Sequence, residues 1–87
     1  MSTVHIASFI VRARPEMAAA VAARIAAVPG NEVHAIEAGK IIVVVESSSD
    51  SAIADRMDEI RNEPDVLMVS LVYHQMDREL DTHEETA

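Results

Sequence analysis

The period of the hydrophobic pattern along this chain switches from two to 3.6 and back, twice over, and that succession leaves few folds open. Val4 to Arg12 is rich in β-branched types and reads as a first strand. Met17, Val21, Ile25 and Val28 then recur at helical spacing through an alanine-rich segment, predicting a helix from about Pro15 to Val28. Glu32–Glu37 and Ile41–Glu46 return to strand character, the second as an unbroken Ile-Ile-Val-Val-Val run suited to the inside of a sheet. Ile53, Met57 and Ile60 mark a second helix whose other side carries Asp55, Arg56, Asp58, Glu59 and Arg61. Val66–Gln75 is the last strand, with Leu67, Val69 and Leu71 on one side and Met68, Ser70, Val72 and His74 on the other.

The breaks between these runs carry their own chemistry. Pro15 suits the first helical position, where its missing N–H is not needed, and Glu16 complements the positive helix end. Pro29-Gly30 stops the first helix, Gly39 marks a tight turn, Ser49 or Asp50 caps the second helix, and Pro64 ends it. The order is strand, helix, strand, strand, helix, strand. Right-handed crossovers in each half give an α+β, ferredoxin-like sandwich: a four-stranded antiparallel sheet of order 4-1-3-2 with both helices on one face. At 87 residues there is room for one such domain. It is expected over residues 1–75, followed by an acidic tail at 76–87 that is too polar to pack.

One sheet face is then left without a helix. With Phe9, Ala7 and Val11 assigned to the core, alternation puts Ile6, Ser8, Ile10 and Arg12 on the uncovered face, joined by Met68, Ser70, Val72 and His74. The middle strands add Ile42, Val44 and Glu46, and Glu32, His34 and Ile36. So large an apolar floor with a polar margin calls for a partner, a second copy or an amphipathic peptide. A hairpin loop of Ala38-Gly39-Lys40 would set Glu37 opposite Ile41 and Glu32 opposite Glu46, and like charges so placed need a cation between them. Arg12, expected at the same end of a neighbouring strand, is one source; an arginine from outside, held in a bidentate way, is the other.

Little else points to chemistry. Without cysteine there is no disulfide, thiolate metal site or cysteine nucleophile. His5, His34, His74 and His83 share no metal-ligand spacing, so no metal is expected, and His74 is instead assigned to the open face. The only glycines, Gly30 and Gly39, make no phosphate loop; capping accounts for the serines at 47–49; no apolar pocket gathers the scattered carboxylates. An enzyme or a bound cofactor is not expected. The N-terminus reads as a strand rather than a signal peptide, and no run approaches the ~20 apolar residues that span a bilayer, which implies a cytoplasmic protein with no membrane insertion. Net charge is −8, of which Asp77, Glu79, Asp81, Glu84 and Glu85 against Arg78 contribute −4 in the tail. That field disfavours nucleic acid and anionic membrane and favours cationic partners.

Ile41-Ile42-Val43-Val44-Val45-Glu46, followed by a helix and then Val69-Ser70-Leu71-Val72-Tyr73-His74-Gln75, closely resembles the NapD family, cytoplasmic chaperones of periplasmic nitrate reductase. Ser8 in a strand 1 that contains Phe-Ile-Val, the Pro29-Gly30 stop, Glu32-Val33 and the acidic tail are similar to that family too, while the hairpin around Gly39 is shorter. The resemblance implies a ferredoxin-like protein that binds the twin-arginine signal peptide of the catalytic subunit NapA as a helix on the open face. Export through the Tat pathway is thereby withheld until the molybdenum cofactor is inserted. On that reading Ile6, Ile10, Val44, Met68 and Val72 take the apolar part of the peptide, Ser8 and Ser70 allow close approach, Glu46 with Glu32 draws the arginines, and His74 is a contact at the far end. A floor that must stay free for a ligand favours a monomer.

Two rivals use the same pattern. A small-molecule-sensing module like that at the C-terminus of leucine-responsive regulators shares the element order, but is expected to follow a DNA-binding helix-turn-helix, for which no residues precede strand 1. A homodimer with its sheets face to face would cover the floor without any peptide.

Overall fold

The computed structural model describes residues 3–78, and the side chains of residues 4–72 and 74. β1 (Thr3–Ala13) leads through a 3-10 turn at Pro15–Met17 into α1 (Ala18–Ala26); β2 (Asn31–Glu37) and β3 (Lys40–Ser47) form a hairpin; α2 (Asp50–Arg61) leads into β4 (Val66–Arg78). The four strands make one sheet in the order β2-β3-β1-β4, every neighbouring pair antiparallel. This is the ferredoxin-like α+β arrangement, in the order expected from the alternation of periods.

The core lies between the sheet and the helices. Phe9, Val11, Ile41, Val43 and Val45 are wholly buried on the sheet side and meet Val21 and Ile25 of α1 and Ile53 and Ile60 of α2. Met17 and Met57 pack at its border. With no disulfide to restrain the unfolded chain, burial of these side chains is the main favourable term. Ser49 caps α2, its Oγ accepting from the amide of Ala52 at 3.1 Å. Arg24 of α1 reaches across to the α2–β4 connection, donating from Nε to Glu63 Oε1 at 2.9 Å and from Nη2 to the carbonyl of Pro64 at 2.8 Å.

The β2–β3 hairpin turns on two residues, Ala38 and Gly39, with φ of 50° and 86°, and Glu37 faces Lys40. A positive φ at both central residues matches the twist of the flanking strands. Gly39 also backs onto β1, where a Cβ would come within 2.7 Å of the Ala13 carbonyl oxygen. The three-residue loop expected from the sequence is therefore one residue too long, and the register built on it changes: Glu32 faces Val44, not Glu46.

Three irregularities in the pairing reset the alternation of faces. In β2 the register steps between Val33 and Ala35, leaving His34 over. Ile36 then faces Ile41 on the helix side rather than lying on the open face. In β4 it steps twice. Leu67 is left over between Val66, opposite Ala13, and Met68, opposite Arg12; Val72 is left over between Leu71, opposite Phe9, and Tyr73, opposite Ser8. Each extra residue moves its successors in the strand to the other face. Leu67, expected in the core, is 64% exposed, and Leu71 at the sheet edge is 48% exposed, so of that stripe only Val69 is buried. β4 also continues three residues past its expected end, with Met76 to Arg78 facing His5 to Thr3. The acidic residues from Glu79 on lie outside the described residues.

Candidate functional site: the open sheet face

β1 and β3 pair without interruption from His5/Ser47 to Arg12/Lys40, so the alternation read from sequence holds across the middle of the sheet. Ile6, Ser8 and Ile10 of β1 face Glu46, Val44 and Ile42 of β3, and all but Glu46 are half-buried. Met68 and Ser70, on the stretch of β4 between its two bulges, face Arg12 and Ile10 and are exposed. Glu32 of β2 joins them across from Val44. Ile6, Ser8, Ile10, Val44, Glu46, Glu32, Met68 and Ser70 thus share the face that carries no helix. Val72 is exposed, at the bulge itself.

His74 does not belong to this group. The bulge at Val72 turns it to the helix side, where it faces Ala7 and lies 3.1 Å from Asp50 Oδ1 in the first turn of α2. Arg12 is also misplaced by sequence reasoning. Because β1 runs antiparallel to β3, Arg12 lies beside Lys40, at the opposite end of the sheet from Glu46, and cannot neutralise Glu32 and Glu46.

The face therefore has unlike ends. At one, Ile6, Gly30, Asn31, Glu32, Val44 and Glu46 line a groove of about 460 Å³. Glu46 has no ion-pair partner among the described residues; Glu32 lies 3.3 Å from His34 Nε2 and is 74% exposed. Gly30, at φ 92°, lets the chain close against β3, its carbonyl accepting from the Glu46 amide at 2.9 Å; a Cβ there would stand 3.0 Å from the Glu46 carbonyl oxygen. At the other end Arg12 and Lys40 lie with Glu37 around a smaller hollow. Between the ends runs the apolar strip of Ile6, Ile10, Ile42 and Val44. Such a surface complements an elongated ligand with a cationic end and an apolar continuation.

The comparisons with known proteins agree with one another. A family profile described as NapD protein matches residues 4–78. Chaperone NapD of Paracoccus pantotrophus is 40% identical over 72 residues, which cover 83% of this chain and 64% of that relative. Chaperone NapD of Escherichia coli is 36% identical over 77 residues, 86% of this chain and 88% of that one. The solution structure of the E. coli Tat proofreading chaperone NapD superposes with a TM-score of 0.79 at 34% identity, covering 99% of this chain and 90% of that one. A transcriptional regulator of the AsnC family from Pyrococcus furiosus superposes at 0.68 with 17% identity over 78% of this chain and 49% of its own, a likeness of fold alone. No helix among the described residues is long and apolar enough to cross a membrane.

Proposed function

The chain belongs to the NapD family, and from that premise we propose that it is a cytoplasmic chaperone that binds the twin-arginine signal peptide of the nitrate reductase subunit NapA. Holding that peptide keeps the precursor from the Tat machinery until its molybdenum cofactor is in place. The observation that carries this reading is the open sheet face, with a half-buried apolar strip that ends in a carboxylate groove. A twin-arginine leader has the matching order, a basic segment followed by an apolar one. Its arginines lie in the groove against Glu46 and Glu32, where guanidinium forks meet carboxylates in a planar, two-bonded way. Its apolar segment, wound as a helix, covers Ile6, Val44, Ile10 and Ile42, with Ser8 and Ser70 small enough to let it approach and Met68 adapting at the margin. The likeness to a structure described as a Tat proofreading chaperone supports the same reading. The chaperone works as a monomer, since a sheet-to-sheet dimer would cover the floor.

Calorimetric titration with a synthetic NapA leader, and with the same peptide carrying Lys-Lys for Arg-Arg, tests this directly. One peptide per chain is expected, with affinity falling roughly tenfold or more for the lysine form, because an ammonium cannot make the two-bonded contact. A chain that sediments as a dimer and binds neither peptide defeats the proposal. Glu46→Lys is expected to weaken binding several-fold and to flatten its dependence on salt, as replacing an attractive charge with a repulsive one should. Affinity and salt slope both unchanged would take Glu46 out of the site.

A further inference from the structure

On the helix side of the sheet the bulge at Val72 brings three ligand-type atoms together that are far apart in the chain. His5 Nδ1 lies 3.0 Å from Asp50 Oδ1, His74 Nε2 lies 3.1 Å from the same oxygen, and the two ring nitrogens are 3.2 Å apart. We propose that His5, His74 and Asp50 form a binding site for a first-row transition-metal ion of the zinc class, separate from the peptide face.

The geometry suits an ion in two ways. An ion bonded at about 2.0–2.1 Å holds neighbouring donors about 2.9 Å apart in an octahedron and about 3.3 Å apart in a tetrahedron, and the observed edges fall between these values. The three atoms form a nearly equilateral triangle, so one ion could reach all three at similar bond lengths. Two imidazoles and one carboxylate on one side of an ion, with the remaining positions open to water, is a familiar donor set for zinc, nickel, cobalt and iron(II), and a poor one for magnesium or calcium.

The surroundings agree. His5 is 8% exposed and is the only buried polar residue among those described, fixed by its place in β1. The Asp50 side chain is 74% exposed, leaving a side open for water ligands and for entry. Asp50 also sits where the N-terminus of α2 would otherwise repel a cation, so its charge is essential to the site. A bulge that re-aims one side chain is a common device beside functional sites, and here the re-aimed residue is His74. In the metal-bound form the ring protons of His5 and His74 move to the nitrogens that face away, Nε2 and Nδ1. The ion would tie the start of β1, the second half of β4 and the first turn of α2 together. The metal-free alternative is a carboxylate oxygen that accepts an N–H from each ring.

The test uses the full chain carrying His83→Ala, which removes the histidine of the acidic C-terminal stretch. Titrated with zinc chloride, it should bind one ion per chain in the micromolar range, and cobalt(II) should develop visible d–d absorption on the same stoichiometry. Magnesium chloride should give no heat. Asp50→Asn and His74→Gln, both at exposed positions, should retain the far-ultraviolet circular dichroism of the parent and lose zinc affinity roughly 100-fold. His5→Ala should lose it as well, but because His5 is buried the two exposed variants decide the matter. Zinc affinity unchanged in those two, or no zinc binding by the parent, overturns the site and leaves the double hydrogen bond to Asp50 as its explanation. Neither result bears on peptide binding, which uses the other face.

Discussion

Phe9→Ala is expected to bring this domain to the edge of unfolding. Phe9 is wholly buried in the middle of β1, between Val43 on one side and Leu71 on the other, and is the largest of the fully buried side chains. Truncating a buried phenylalanine costs about 3–5 kcal/mol, because the cavity is filled only in part by relaxation. Domains of this size have about 5–10 kcal/mol in all. No disulfide limits the unfolded ensemble, and the chain has no other phenylalanine to repack into the gap. Urea unfolding followed by circular dichroism should show the midpoint falling sharply with little change in slope, and Phe9→Leu should lose much less. A loss of under about 1 kcal/mol for the alanine variant would mean that β1 is not the centre of the core.

The two faces of β1 were legible in the sequence because its pairing with β3 is unbroken. Wherever two strands pair residue for residue, the rule of alternate faces carries from one end to the other, and it put Ile6, Ser8, Ile10 and Val44 on the open side and Phe9 and Val43 in the core. The same rule failed after each bulge. Nothing in Val69-Ser70-Leu71-Val72-Tyr73 distinguishes a regular strand from one with an extra residue, since a bulge leaves no mark on composition in a run of strand formers. One unpaired valine was enough to carry His74 from the open face to Asp50, and one unpaired histidine moved Ile36 to the helix side opposite Ile41. The hairpin register failed for a related reason. Gly39 signalled a turn, but whether it held two residues or three depended on Ala38 also taking a positive φ, to which alanine gives no clue. The start of α2 was better marked: serine before an acidic first turn is a capping signal in its own right, and Ser49 makes that bond. The first helix, by contrast, expected from about Pro15 to Val28, is α-helical only over Ala18–Ala26. The His5, Asp50 and His74 cluster could not be read from spacing at all, because its members are 45 and 24 residues apart and only the bulge unites two strands with a helix end.

Ile10→Glu is expected to cost more peptide affinity than any other single change on the open face. Ile10 is half-buried in the apolar strip, flanked by Ile42 on β3 and Ser70 on β4, so a helical peptide lying across the face must cover it. A glutamate there either keeps water under the peptide or is buried as a carboxylate, and each route costs several kcal/mol at the position itself, moderated by side-chain bending. The net loss in affinity is roughly 100-fold, about 2.7 kcal/mol. Folding is affected less, since Arg12 two residues along the same face gives the new carboxylate a partner in the free chaperone. Ile10→Val, which keeps the strip apolar, should bind within a few-fold of the parent. The salt dependence distinguishes this variant from Glu46→Lys: a defect in apolar contact persists at every ionic strength, whereas a defect at the carboxylate groove shrinks as salt screens it. Binding of Ile10→Glu within twofold of the parent, by a chain that keeps its circular dichroism, would show that the peptide does not cross the middle of the sheet.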